Sequence, residues 1–417
     1  MKIPQGRVSL CLASAAAFVG LLYLNPMVAT SEPRHLYLTL PEQDASHSLC
    51  LNLHIAEASK TKKAYLTVPE LQVNAMEVSS ERAQFAQQRI SCFRFWLKNL
   101  KAGHTYQATL RVEGQTWTKS LKLCTPPDRG QLRFVVAGDS LPGSALNQML
   151  AKAQKLKPDF YVYGGDLAYD NGEPSQFHLW DSWMTAVETA ANGPNGMVPI
   201  LAVIGNHEVQ GGFLNGTGRL QWDRARPYDF FFHQAQNGTG MQRDNASYGF
   251  RNFGKDLGLW FLDSGHLAAP NGTQAQWLAK NLKTNSQYPL KLAAYHVPFY
   301  PSSRGPEEGP SQACRHAWGR LFDDYSLTAA FEHHDHAFKR TYPIKAERKD
   351  PGGVVYLGDG CIGQAPRPVQ SRWYLEKAAP SRNFWFIQVN EKPGWMKSTA
   401  MGESGPFDVW ETHFRKP

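Results

Sequence analysis

The 417-residue sequence predicts an all-β domain followed by an α/β layered domain. Three observations predict this fold class. The early part of the chain is a series of short runs rich in β-branched and aromatic residues, several alternating with period two. From residue 131 short apolar runs alternate with segments of helical pattern. Five of these later runs end directly in Asp, Asn or His. In open α/β folds, polar side chains at the carboxyl ends of strands gather in one crevice.

The elements follow in chain order. Lys2 and Arg7 precede a mostly apolar stretch, Val8 to Leu24, with small residues around Ala29. Residues 1–29 therefore read as a signal peptide or an N-terminal anchor, and the chain as exported, secreted or periplasmic. Stable membrane insertion is expected only if this segment stays uncleaved. Residues 33–126 contain HLYLTL, SLCLNLHI, KAYLTV, ISCFRFWL, TYQATLRV and TWTKSLKL, the spacing of an all-β sandwich. Within them NLKAGHTYQATL resembles the tyrosine-corner region of fibronectin type III domains, with Tyr106 as the corner residue. Thr125-Pro126-Pro127 reads as a linker, and residues 131–417 as the second domain. There SALNQMLAKAQKLK and TQAQWLAKNLK have the periodicity of amphipathic helices. Two irregular segments, one from Gly211 and one at 301–311, are expected to rim a site.

Composition narrows the class. With 42% hydrophobic and 19% charged residues the chain folds rather than staying disordered. Its net charge of +8 favours anionic partners or substrates. No basic run is interleaved with aromatics, so no nucleic-acid partner is expected. Outside the presumed signal the cysteines are Cys50, Cys92, Cys124, Cys314 and Cys361. Export permits disulfides, and Cys50 with Cys92 and Cys314 with Cys361 are candidate pairs. No C-x-x-C spacing occurs, which argues against cysteine-based zinc or redox chemistry. Glycosylation sequons stand at Asn215, Asn237, Asn245 and Asn271.

The tetrad Gly138-Asp139-Ser140-Leu141 is open to two chemistries. Ser140 as a nucleophile would make a serine esterase, with Asp263-Ser264-Gly265-His266 supplying an Asp-x-x-His. Asp139 as a ligand would make a metal-dependent phosphoesterase. The remaining strand ends favour the second reading. Gly165-Asp166-Leu167-Ala168-Tyr169, Gly205-Asn206-His207-Glu208, Tyr295-His296-Val297-Pro298 and His334-Asp335-His336 follow in order. These blocks resemble those of the purple acid phosphatase family, within the calcineurin-like metallophosphoesterases. The flanking SYGFRNFGKDLGLWFLDS and HAFKRTYPI are similar to the family's as well.

The resemblance implies a metallophosphoesterase-like catalytic domain, a β-sandwich flanked by helices, holding Fe(3+) and a divalent ion such as zinc, manganese or iron. It implies Asp139, Asp166, Tyr169 and His336 on the ferric ion, and Asp166, Asn206, His296 and His334 on the other. One carboxylate has two oxygens and can span two ions about 3.5–4 Å apart. Imidazole suits borderline ions, and Asn206 adds an oxygen without charge. The wider superfamily has a histidine where Leu141 stands, and Tyr169 belongs to the purple branch. The implied reaction is hydrolysis of small phosphate monoesters by a metal-bound hydroxide. His207 would protonate the leaving group and face the phosphate, and Arg304 would bind substrate. The family reads Gly-His-x-His, but here His333 takes the glycine's place. That change is expected to shift His334 or to add an imidazole to the site. Rival readings are a phosphodiesterase with the same site, an inactive binding or adhesion protein, and the serine esterase.

Overall fold

The computed structural model describes residues 32–56, 63–214, 222–233, 247–358 and 360–414. The N-terminal segment 1–29 and the sequons at Asn215, Asn237 and Asn245 lie outside them, while Asn271 is exposed just before the helix Thr273–Thr284.

Two large mixed sheets carry the fold. In the first, the strands Leu132–Ala137, Phe160–Tyr163 and Pro199–Ala202 run parallel and side by side. In the second, Leu257–Phe261, Leu290–Ala294, Ala329–Phe331 and Val355–Gly358 do the same. Both sets are buried on both faces, which explains their near-continuous apolar sequence. Alternate residues enter different layers. Phe134 and Val136 face a core between the sheets that also holds Leu259, Phe261, Leu292 and Phe331. Val135 and Ala137 face the opposite way, toward the helices Ser144–Lys155 and Phe177–Ala191. Helices Thr273–Thr284 and Gly309–Asp324 cover the outer face of the second sheet through Leu278, Leu282, Trp318 and Phe322. The two amphipathic helices read from sequence are present, and Phe177–Ala191 and Gly309–Asp324 add to them.

The N-terminal strands are not a separate sheet. His35–Thr39 pairs parallel with Pro199–Ala202, and Leu49–Ala56, Gln88–Leu97 and Glu81–Phe85 follow, extending the first sheet to ten strands. Facing them, Thr118–Cys124, Thr105–Val112, Lys63–Val68 and Val73–Ser79 form a further sheet, which Gly196–Met197 joins through Met197 opposite Leu123. Sheet pairing thus runs across the expected boundary at 126–131, and residues 31–417 form one compact unit. Tyr106 accepts a hydrogen bond from the Lys101 amide at 2.7 Å, the contact expected of a corner tyrosine.

The cysteine pairing is corrected. Cys50, Cys92, Cys124, Cys314 and Cys361 are all free thiols. Cys50 lies opposite Trp96 and Cys92 opposite His54, so the two are four positions apart along one ladder. Burial pushes their thiols up to about 12 and about 11.

Candidate metal centre

Every expected ligand sits just beyond the carboxyl end of a parallel strand. Asp139 follows Leu132–Ala137, Asp166 and Tyr169 follow Phe160–Tyr163, and Asn206 opens a turn after Pro199–Ala202. From the second sheet, His296 follows Leu290–Ala294, and His334 and His336 follow Ala329–Phe331. The chain must leave the sheet and turn at once for such side chains to converge. Asp139, Asp166, Tyr169, His334 and His336 accordingly adopt φ of 52°, 51°, 62°, 75° and 54°. Non-glycine residues held there cost about 1–3 kcal/mol each, and such strain clusters at functional sites.

Hydrogen bonds hold these turns. The His334 amide donates to Asp139 Oδ2 at 2.9 Å, tying one sheet to the other. The His207 amide donates to Asp166 Oδ1 at 2.9 Å. Buried Glu208 accepts from the amides of Asp166, Leu167 and Gly205 at 2.8, 2.7 and 2.8 Å. It clamps two ligand-bearing turns together. Asp335, fully buried, accepts from the Ser303 and Arg304 amides at 2.6 and 3.0 Å, anchoring the 301–311 loop beside the histidines. Sequence reading gave neither acid a role, although each stands inside a ligand motif.

The side chains form two donor groups, Asp139–Asp166–His336 and Asp166–His296–His334, each with its ligand atoms within 4.8 Å of one another. Asp166 belongs to both. His296 Nε2 lies 3.2 Å from Asp166 Oδ2, 3.1 Å from Asn206 Oδ1 and 3.1 Å from His334 Nδ1. One ring nitrogen carries at most one hydrogen, so it cannot satisfy three neighbours. On the other side Asp139 Oδ1 is buried without a hydrogen bond, 3.0 Å from His336 Nε2. Tyr169 Oη lies 3.3 Å from the same nitrogen. Lone pairs crowded in this way fit cations. Burial opposes a proton on His296, yet the Asp166 carboxylate raises its pKa to about 9. Burial and the Asp139 carboxylate push the Tyr169 phenol well above its ordinary value, so a phenolate there needs a cation beside it.

His207 is 34% exposed, packs its ring against Tyr169 at a tilt with centroids 4.2 Å apart, and has Nδ1 2.5 Å from Asn171 Oδ1. Its Nε2 stands 3.9 Å from Asp166 Oδ2, at the mouth of the site. Arg304 Nη1 donates to the His334 carbonyl at 2.7 Å and to Asp335 at 2.8 Å, which places it behind the second donor group.

Ser140 is no nucleophile in this arrangement. It is fully buried, and its Oγ accepts from Trp183 Nε1 at 2.8 Å and lies 3.2 Å from the Leu167 carbonyl. Asp263 is spent on its own turn, accepting from the amides of Gly265, His266, Leu267 and Ala268. His333 adds no ligand to the donor groups. Its ring is 2% exposed, lies against Gly138 and Gly164, and has both nitrogens unpartnered. Burial pushes its pKa down to about 3.

Residues 132–338 match the calcineurin-like phosphoesterase family model. The chain is 26% identical over 252 residues to probable purple acid phosphatase 20 of Arabidopsis thaliana, covering 59% of this chain and 56% of that one. It is 27% identical over 241 residues to purple acid phosphatase 21 of the same plant, covering 57% and 51%. The chain thus spans about half the length of these curated relatives. Among solved structures, a purple acid phosphatase from yellow lupin (Lupinus luteus) seeds superposes with a TM-score of 0.74 at 16% identity, covering 92% of this chain and 74% of the other. PhoD superposes with a TM-score of 0.65 at 14% identity, covering 92% and 90%. At those identities the likeness is one of fold. The match over residues 132–338, the curated relatives and the fold together indicate a metallophosphoesterase. Within that class, the chain is a relative of the purple acid phosphatases and carries candidate metal-binding residues at the expected strand ends.

Proposed function

We propose that this protein is a dinuclear metal-dependent phosphatase acting on small phosphate monoesters. The observation that carries the reading is Asp166, shared by two largely buried donor groups that each draw on both sheets. Asp139, Tyr169 and His336 would hold one ion, ferric iron, and Asn206, His296 and His334 would hold a divalent one, with Asp166 common to both. Two such ions supply Lewis acidity toward the phosphoryl oxygens and a water of lowered pKa. The chain's own part is to hold the ligands fixed. Glu208 and Asp335 lock the turns, and His207 stands half-buried at the mouth, where it can give a proton to a departing alkoxide. An inactive binding protein would have no need to keep strained residues converging on one point.

The reading extends to the rest of the chain. Residues 33–126 serve as a fibronectin type III-like partner layer, supported by the Tyr106 corner bond. The N-terminal segment directs export. Among the described residues, no helix is long and apolar enough to cross a membrane.

Elemental mass spectrometry of the purified protein tests the proposal, with activity on p-nitrophenyl phosphate measured in parallel. About two metals per chain, one of them iron, are expected. Asp166→Asn removes a shared anionic ligand and is expected to lower both metal content and turnover. Full activity in Asp166→Asn, or a protein that cannot be loaded with metal, overturns the assignment.

A further inference from the structure

The segment from residue 360 to 372 crosses the side of the site that carries Asp139 and His336. The amides of Cys361 and Ile362 both donate to the Gly138 carbonyl at 3.0 Å, and those of Gly363 and Gln364 to the Asp139 carbonyl at 3.2 and 3.1 Å. The Arg367 amide donates to the His336 carbonyl at 2.9 Å. The Gln370 amide donates to the Ser302 carbonyl at 2.7 Å, which joins this segment to the 301–311 loop. Arg367 Nη1 lies 3.5 Å from the His334 carbonyl oxygen that Arg304 Nη1 also meets, and Arg372 Nη2 donates to the Arg304 carbonyl at 3.4 Å.

Two guanidinium groups, of Arg304 and Arg367, therefore meet at one carbonyl on this rim, and that of Arg372 reaches the Arg304 backbone beside them. Asp335 neutralises Arg304. Among the described residues, no carboxylate pairs with Arg367 or Arg372. Arg372 Nε is buried without a hydrogen-bond partner. The other rim differs in kind: there Phe213 sets its ring edge-on to His334, with centroids 6.3 Å apart. A scissile phosphoryl group alone needs no such one-sided excess of charge. Guanidinium groups present planar forks that match carboxylate and phosphate oxygens.

We propose that Arg367 and Arg372, with Arg304 behind them, form a second anion subsite, so that preferred substrates carry a further carboxylate or phosphate beside the scissile phosphoryl group. The inference rests on the phosphatase reading for what is cleaved, but its test does not depend on turnover.

Calorimetry on the metal-loaded protein compares three non-hydrolysable ligands: propylphosphonate, 3-phosphonopropanoate and propane-1,3-diphosphonate. A charge-assisted contact predicts that one of the two charged-tail ligands binds about tenfold or more tighter than propylphosphonate. The tighter of the two identifies the second anion as carboxylate or phosphate. Arg367→Gln and Arg372→Gln, measured separately and checked for metal content and circular dichroism, are each expected to shrink the preference toward parity. Equal affinities in the wild type, or a preference that survives both substitutions, overturn the subsite. If the loaded protein hydrolyses no phosphate monoester, the function proposed above falls, while the binding ratios still decide the subsite.

Discussion

His333 occupies space that two glycines leave open. A Cβ at Gly138 would stand 2.5 Å from His333 Nδ1, and one at Gly164 would overlap the ring. All three nearest atoms to either position belong to His333. The imidazole is therefore a wedge between strand ends rather than an extra ligand, and its φ lies outside the left-handed region that favours glycine. This predicts a coupling between distant positions in sequence. Gly164→Ala overpacks a rigid site and is expected to cost about 1–3 kcal/mol. Combined with His333→Gly, which makes room for the new methyl, it should cost less than the sum of the two single changes by about 1–3 kcal/mol. Thermal or denaturant unfolding of the four proteins in the cycle measures the difference, and strict additivity would dismiss the wedge. His207 carries a prediction of its own, since it is half-buried at the mouth, packed against the Tyr169 ring and not among the clustered ligand groups. As a proton donor it matters most for poor leaving groups. His207→Ala is expected to lower kcat about 100-fold on an alkyl phosphate and far less on p-nitrophenyl phosphate, whose phenolate leaves unaided. Equal losses on both substrates would assign His207 to binding alone.

At the scale of elements, the strand-to-turn junction is what makes the site. An apolar strand run that stops in Asp, Asn or His is visible in the letters, because a fully buried parallel strand needs continuous apolar residues and a functional turn needs a polar one. That is why Asp139, Asp166, Asn206, His296, His334 and His336 were legible, and why their strands were too. The clamps were harder to see. Glu208 and Asp335 are ordinary acids in sequence, and their roles arise from which amides the fold brings within reach. Arg367 was illegible for a similar reason. It lies in a proline-containing segment without regular structure, and only the backbone bonds to Gly138, Asp139 and His336 place it at the site. The strands Asn383–Val389, Trp395–Gly402 and Gly405–His413 complete the first sheet from the far end of the chain. Such non-local pairing leaves no local signature beyond alternation. The cysteine pairing failed because export permits disulfides without saying where the ladder puts each thiol.

For the whole molecule, the joint between the N-terminal layer and the catalytic layers is a continuous sheet with a charged clasp on its helical face. His35, on the strand that pairs with Pro199–Ala202, is 2% exposed. Its Nδ1 lies 2.7 Å from Glu188 and its Nε2 2.9 Å from Asp181, both on the helix Phe177–Ala191. Arg34 Nε donates to the same Asp181 at 2.7 Å, and the Leu36 amide to Glu188 at 3.0 Å. Both ring nitrogens face carboxylates, so both must donate, and the ring carries a proton. Burial opposes that charge, but the bonds to Asp181 and Glu188 outweigh it and raise the pKa of His35 above its ordinary value. The neighbouring His54, with its ring centroid 6.0 Å away, goes the other way, because burial pushes it well below its ordinary value. The signs follow from linkage. The folded state holds the His35 proton more tightly than the unfolded chain does. Its contribution is fully present below the unfolded pKa of about 6.5 and is lost as pH rises through the higher folded value. His54 acts at the acid end, where the unfolded chain takes up a proton that the folded ring refuses. His35→Gln is therefore expected to lower stability by about 1.5–3 kcal/mol below pH 6.5, the scale of charge-assisted hydrogen bonds. The loss should narrow as pH rises, while most of the acid-side decline from His54 remains, since burial depresses it more than the His35 charge does. Denaturant midpoints across pH for both proteins test this, and two parallel curves would mean that His35 binds its proton no more tightly in the folded joint than in the unfolded chain.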